Sequence, residues 1–157
     1  MWFEDFEIGR RLELGTYTFT EDEIVRFARA YDPQPFHVDK EAAKNSLFGG
    51  LVASGWHTVA VWMKLMIAYR QVHMGPEGDS GPTGVSPGFR DLKWLKPVRP
   101  GTVLSYSSEV IAKIDLKSRP EIGLIENLNE ARDETGALVM SFVGKGFIAR
   151  KPKGEHQ

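Results

Sequence analysis

Leu51-Val52-Ala53-Ser54-Gly55-Trp56-His57-Thr58-Val59-Ala60-Val61-Trp62-Met63-Lys64-Leu65-Met66-Ile67-Ala68-Tyr69 decides the architecture. It is the longest apolar stretch of the 157-residue chain and is apolar on nearly every helical face. Such a segment is either a membrane span or a helix surrounded by its own protein. Ser54, Gly55, His57, Thr58 and the central Lys64 make bilayer insertion costly, so the stretch reads as a buried helix over about 51–69.

Upstream, Arg11 to Phe19 alternates and turns β-branched and aromatic, which predicts a strand. Thr20-Glu21-Asp22-Glu23 is a capping box, and Ile24, Phe27, Ala28 and Tyr31 then mark one buried helical stripe. Asp32-Pro33-Gln34-Pro35 stops that helix, and Asp39 caps a short one reaching Asn45. Downstream, Gln71 to Arg90 is Gly/Pro-rich and reads as a long loop. Strands are expected over 92–96, 102–114, 122–132 and 137–150, with a hairpin at Asp133-Glu134-Thr135-Gly136. Gly144 and Gly146 inside the last strand signal a bulge or the close approach of another backbone. Helices early and strands late argue for an α+β fold, an antiparallel sheet wrapped around the central helix.

Composition narrows the function. A chain of 157 residues is one domain, 1–157, with residues 151–157 as a polar tail. There is no cysteine, which removes disulfides, thiolate nucleophiles and Cys-based metal centres. A net charge of −1 offers no footprint for nucleic acid. The N-terminus has neither a basic region nor an apolar run, so the expectation is a soluble cytoplasmic protein without a membrane partner.

Proton-transfer chemistry then falls to few residues. In Asp32-Pro33-Gln34-Pro35-Phe36-His37 a carboxylate and an imidazole share a segment stiffened by two prolines, as an acid–base pair requires. The bland alternative has Asp32 ending a turn and His37 packing beside Phe36. A metal set of Asp32, His37 and Asp39 has suitable residue types but no recurring spacing, so no metal is expected. Phe48-Gly49-Gly50 and Ser54-Gly55-Trp56 open the buried helix with small residues. A Gly55 amide there suits a thioester oxygen, whereas the alternative is close packing on the sheet. His57 reads as a core histidine. His73 and His156 read as solvated, and Trp62, Met63 and Met66 as core or dimer packing.

With these residues in view, the sequence resembles the MaoC-like dehydratase family, the hotdog-fold group containing (R)-specific enoyl-CoA hydratases. Asp32, Pro35 and His37 match its Asp-x-Asn-Pro-x-His signature, with Ala43 at the following small position. Phe48, Gly49, Ala53 and Gly55 match a second motif, Phe-Gly-x-x-Ile-Ala-His-Gly-Met. Phe3 to Gly9 and Trp94 to Gly101 are also family-like. Gln34 stands for the family's Asn, Tyr31 for a Gly, and Ser54 and Trp56 flank Gly55 in place of His and Met.

The resemblance implies a hotdog domain with Asp32, His37 and Gly55 as catalytic groups and Gln34, Phe36, Ser54 and Trp56 along the substrate. It further implies reversible hydration of a trans-2-enoyl thioester on coenzyme A or acyl carrier protein. No separate cofactor is implied, and the assembly is a homodimer or dimer of dimers. A hotdog thioesterase and a non-catalytic acyl-thioester binding module are the alternatives. Lys93, Lys96, Arg99, Arg150, Lys151 and Lys153 read as coenzyme A phosphate contacts or as a solvated basic edge. Thr83, Ser86 and Gly88 belong to a loop placed to close over a ligand.

Overall fold

The computed structural model describes residues 1–74 and 84–152. A 3₁₀ turn at Phe3–Asp5 precedes strand β1 (Arg11–Thr18), then helices α1 (Glu21–Tyr31), α2 (Pro35–Val38), α3 (Lys40–Lys44) and α4 (Gly55–His73). Strands β2 (Phe89–Trp94), β3 (Val103–Asp115), β4 (Ile122–Arg132) and β5 (Leu138–Ala149) complete the described chain. All pairings are antiparallel, in the order β1-β3-β4-β5-β2. This is the expected α+β arrangement of one sheet around one long helix.

Alternation along the strands sets which face meets α4. Leu104, Tyr106, Val139, Met140 and Phe142 are buried with Val61 and Met66 of the helix. The Tyr106 hydroxyl donates to the Thr58 carbonyl at 3.0 Å, fastening the helix to the sheet. Among the described residues no helix is long and apolar enough to cross a membrane.

Several boundaries differ from the sequence reading. Residues 51–54 are extended, and α4 begins only at Gly55 and runs on to His73. The reason is lateral bonding. The Val52 N–H donates to the Phe36 carbonyl at 3.2 Å and the Ala53 N–H to the Val98 carbonyl at 2.8 Å. Both amides are thus committed across the chain, which a helix does not allow. Apolar character alone does not separate a buried extended segment from a buried helix. The long helix is also less enclosed than expected, since Trp56, Met63 and Ile67 are about half exposed. Tyr31 likewise leaves the stripe formed by Ile24 and Ala28 and faces solvent.

The segment after Asp32 holds an unexpected element. Pro35 does not exclude helix here because it occupies the first helical position of α2, where its missing N–H costs nothing. The short helix capped by Asp39 is present as α3, with Asp39 Oδ1 accepting from the amides of Glu41 at 2.9 Å and Ala42 at 3.2 Å. The strand expected at 92–96 begins earlier, at Phe89, and its register slips between Arg90 and Lys93. Asp91 sits in that slip at φ 56°, a left-handed conformation uncommon outside glycine. The 133–136 hairpin forms as read, with Gly136 at φ 82°. Gly144 and Gly146 pair with Asn127 and Ile125 without a bulge at either residue. Lys151 is no free tail residue, because its N–H donates to Glu4 at 3.0 Å and its ammonium meets Asp5 at 2.5 Å.

Candidate active site

Three segments converge at the start of α4. Asp32 follows the last turn of α1, its N–H donating to the Ala28 carbonyl at 2.8 Å. Two prolines then swing the chain so that α2 carries His37 back beneath it. The extended 51–54 segment closes the third side. Val52 receives His37 Nδ1 on its carbonyl at 2.6 Å while giving its own amide to Phe36. A carbonyl only accepts, so Nδ1 carries a proton and Nε2 is turned toward Asp32.

His37 Nε2 lies 3.2 Å from Asp32 Oδ2. The carboxylate has two further donors, Ser54 Oγ at 2.7 Å on Oδ2 and Gln34 Nε2 at 2.7 Å on Oδ1. Burial would push the Asp32 carboxyl up. The hydrogen bonds from Gln34 and Ser54, with His37 beside it, outweigh that and hold it below the ordinary carboxylate range. Asp32 is therefore ionised at neutral pH. Its side chain is held from two sides, while its backbone ends α1 and His37 packs edge-on against Phe36 at 4.5 Å, so the structural reading of the pair is met alongside the contact between them.

The dyad opens into a cleft of about 380 Å³ lined by Asp32, Gln34, Phe36, His37, Gly55 and Trp56 among others. Phe48, Val98 and Val139 form apolar walls, and Trp94, Lys96 and Thr58 also reach it. Gly55 is the first residue of α4, so its N–H has no acceptor within the helix and faces the positive end of the dipole. Thr58 Oγ1 donates to the Gly55 carbonyl at 2.6 Å and steadies that first turn.

A side chain at position 55 is impossible as the structure stands, since its Cβ would fall 2.3 Å from Trp94 Cε2. The Trp94 indole itself meets Trp56 edge-on at 5.2 Å between centroids. The close packing read for Gly55 is therefore present, against Trp94, and the residue also lines the cleft.

Of the sequence-derived residues, Asp32, Gln34, Phe36, His37, Gly55 and Trp56 share this cleft. Ser54 is the exception. It is fully buried below the cleft with its hydroxyl on Asp32, so it orients the carboxylate and does not line the substrate path. Asp39 stands apart as the α3 cap, and among the described residues no three His, Asp or Glu side chains converge as a metal set. His57 is the core histidine expected, stacked on Phe27 at 4.6 Å and edge-on to Phe19.

Lys96 lines the cleft while paired with Asp133, and Arg99 donates to the Phe48 carbonyl at 2.6 Å. Arg150 and Lys151 instead tie the end of the sheet to Glu4, Asp5 and Asp115. Ser86 and Gly88 do not line the cleft, and Thr83 and Lys153 lie outside the described residues. Trp94, Thr58 and Phe48 are the contributors that the sequence reading missed as site residues. Trp94 opens the family-like stretch Trp94 to Gly101, which is the signal that pointed to it.

Against known proteins, the model for the MaoC like domain matches residues 5–127. The chain belongs to the MaoC-like family. A MaoC-like dehydratase from Rhodospirillum rubrum superposes with a TM-score of 0.83 at 33% identity, covering 98% of this chain and 99% of that one. The uncharacterized protein YdeM of Bacillus subtilis is 34% identical over 125 residues, 80% of this chain and 82% of its own. R-hydratase PhaJ1 from Pseudomonas aeruginosa shares the fold at 22% identity and TM-score 0.69, covering 96% of this chain and 86% of that chain. The sheet-and-helix architecture is thus the hotdog fold of MaoC-like proteins.

Proposed function

We propose that the chain is a hydro-lyase of the (R)-specific enoyl-thioester hydratase type, adding water reversibly to a trans-2-enoyl thioester. The observation that carries this reading is the Asp32–His37 contact opening beside the free amide of Gly55.

In the hydration direction Asp32 takes a proton from water as its oxygen bonds to the β-carbon. The π electrons move toward the thioester carbonyl, where the Gly55 N–H stabilises the developing oxyanion. Asp32 hands that proton across their 3.2 Å contact to His37 Nε2, which delivers it to the α-carbon, so the water supplies both the hydroxyl and the proton that are added. Asp32 and His37 stand together, so both transfers to one face of the substrate make the addition syn; the (R)-3-hydroxyacyl configuration is the one that the likeness to (R)-hydratases supports. The proton steps use only side chains of this chain, and coenzyme A enters as part of the substrate. Lys96 at the cleft wall suits the phosphates of a coenzyme A or acyl carrier protein arm.

The uncovered apolar face is assigned to a second copy of the chain. Edge strand β2 leaves one row of backbone groups unpaired; its Phe89 and Trp94 are exposed, Trp94 meets Trp56 of α4 edge-on, and Met63 and Ile67 of that helix are about half exposed.

The deciding assay follows the loss of enoyl-thioester absorbance with crotonyl-CoA and longer or branched enoyl-CoAs. Turnover is expected and should fall about 10²-fold or more in Asp32→Asn, within the range for removal of a general base. Release of free thiol, or saturable thioester binding without turnover, overturns the assignment.

A further inference from the structure

Far from the cleft, α4 and the middle of the sheet enclose a second cavity of about 70 Å³, lined by Trp62, Met66, Arg70, Asn129, Gly144 and Gly146 among others. A single water needs only about 10–15 Å³ of such space, so the cavity exceeds a one-water hole. The glycines account for the room. Neither has a positive φ, so backbone conformation does not require glycine at either position. A Cβ at Gly144 would stand 3.0 Å from Asn129 Nδ2, and one at Gly146 would meet only Ile148 Cδ1, at 4.0 Å. Consecutive inward positions on β5 are bare, and the strand keeps its register on β4 through both.

The walls carry polar groups left without partners. Trp62 Nε1–H and Asn129 Oδ1 are buried and unbonded, although Asn129 is fully enclosed and gives its Nδ2 to the Asn127 carbonyl at 3.2 Å. Buried polar atoms are rarely left so. Arg70 is half-buried, and no carboxylate lies within ion-pair distance of it among the described residues. Its guanidinium loses hydration without gaining a counter-charge, and burial pushes its pKa down. The residues lining this space thus carry two unpaired donors, Trp62 Nε1–H and the Arg70 guanidinium, and one unpaired acceptor, Asn129 Oδ1, beside Lys145, which pairs with Glu126 at 3.8 Å.

We propose that this cavity is a binding site for a small hydroxycarboxylate, with the carboxylate on Arg70 and Trp62 Nε1–H and the hydroxyl donating to Asn129 Oδ1. The planar guanidinium fork suits a carboxylate, and the lone acceptor opposite selects a ligand that also carries an O–H. The site is separate from the Asp32–His37 cleft and does not depend on the reaction assigned there.

The test uses the full chain labelled with ¹⁵N. Its four tryptophans give four indole N–H resonances, and Trp62→Phe identifies one by its disappearance. Titration with glycolate is expected to move the Trp62 resonance saturably. Acetate, which lacks the hydroxyl, should bind about five- to tenfold more weakly, the worth of one hydrogen bond. Arg70→Gln removes the charge and Gly146→Ala fills the space. Each should abolish the shift while the other indole resonances and the unfolding temperature stay near wild type, so failure of one variant to fold leaves the other decisive. The proposal is overturned if glycolate moves no indole resonance, moves Trp56 or Trp94 instead, or moves Trp62 equally in both variants. Acetate binding as tightly as glycolate overturns the hydroxyl assignment.

Discussion

Ser54 shows how a residue off the cleft surface sets the electrostatics of one that lines it. Its hydroxyl is one of two side-chain donors holding Asp32 ionised against burial. In Ser54→Ala the carboxyl rises toward the ordinary value, so the acidic limb of the kcat/KM profile moves to higher pH while its alkaline limb stays. A pH–rate profile reads this directly, and an unmoved acidic limb removes Ser54 from the site. His57 works the other way. Burial among Phe19, Phe27 and Tyr17 pushes its imidazole down to about 4, with Glu23 opposing and Arg26 assisting. The folded state therefore prefers neutral His57, and the unfolded chain binds more protons between its ordinary value near 6.5 and about 4. The stability it contributes is complete above about pH 6.5 and declines as pH falls toward 4, by on the order of 3 kcal/mol. Urea unfolding of His57→Phe at pH 7 and pH 5 should show a shallower loss across that interval than wild type.

At the level of elements, legibility followed the kind of signal. Where a side chain bonds its own backbone, the sequence carried the answer. The Thr20 hydroxyl accepts the Glu23 amide at 3.3 Å at the start of α1, which is half of the capping box, while the Glu23 carboxylate accepts from the Tyr17 hydroxyl at 2.6 Å instead of reaching back; Asp39 caps α3. Thr20→Ala should accordingly lower stability by about 1 kcal/mol, measurable as a reduced denaturation midpoint with unchanged m-value. Where long-range bonds compete, the sequence was silent. Residues 51–54 are extended because Phe36 and Val98 lie alongside them, and that information sits 16 residues upstream of Val52 and 45 downstream of Ala53, beyond any local pattern. The α2 helix was hidden for a simpler reason, since proline was read as a stop when it also serves as a first helical residue.

For the whole molecule, the proposed second copy covers the exposed face of α4 and edge strand β2. Sedimentation equilibrium should return twice the 17.6 kDa chain mass. Replacing exposed Met63 or Phe89 by lysine should shift the particle toward the monomer. The dyad was legible because Asp32 and His37 are five residues apart on a stiff segment, so local sequence already confined them. The wall opposite was not, because Trp94 reaches Gly55 only after the sheet has brought β2 against the start of α4.

That contact also couples two positions of this chain. With an indole filling the place of a Cβ, positions 55 and 94 are not free to change separately. Alanine at 55 needs the Trp94 ring displaced or replaced by a smaller side chain. Redesign of the cleft wall must therefore treat the two as a pair, changing them together.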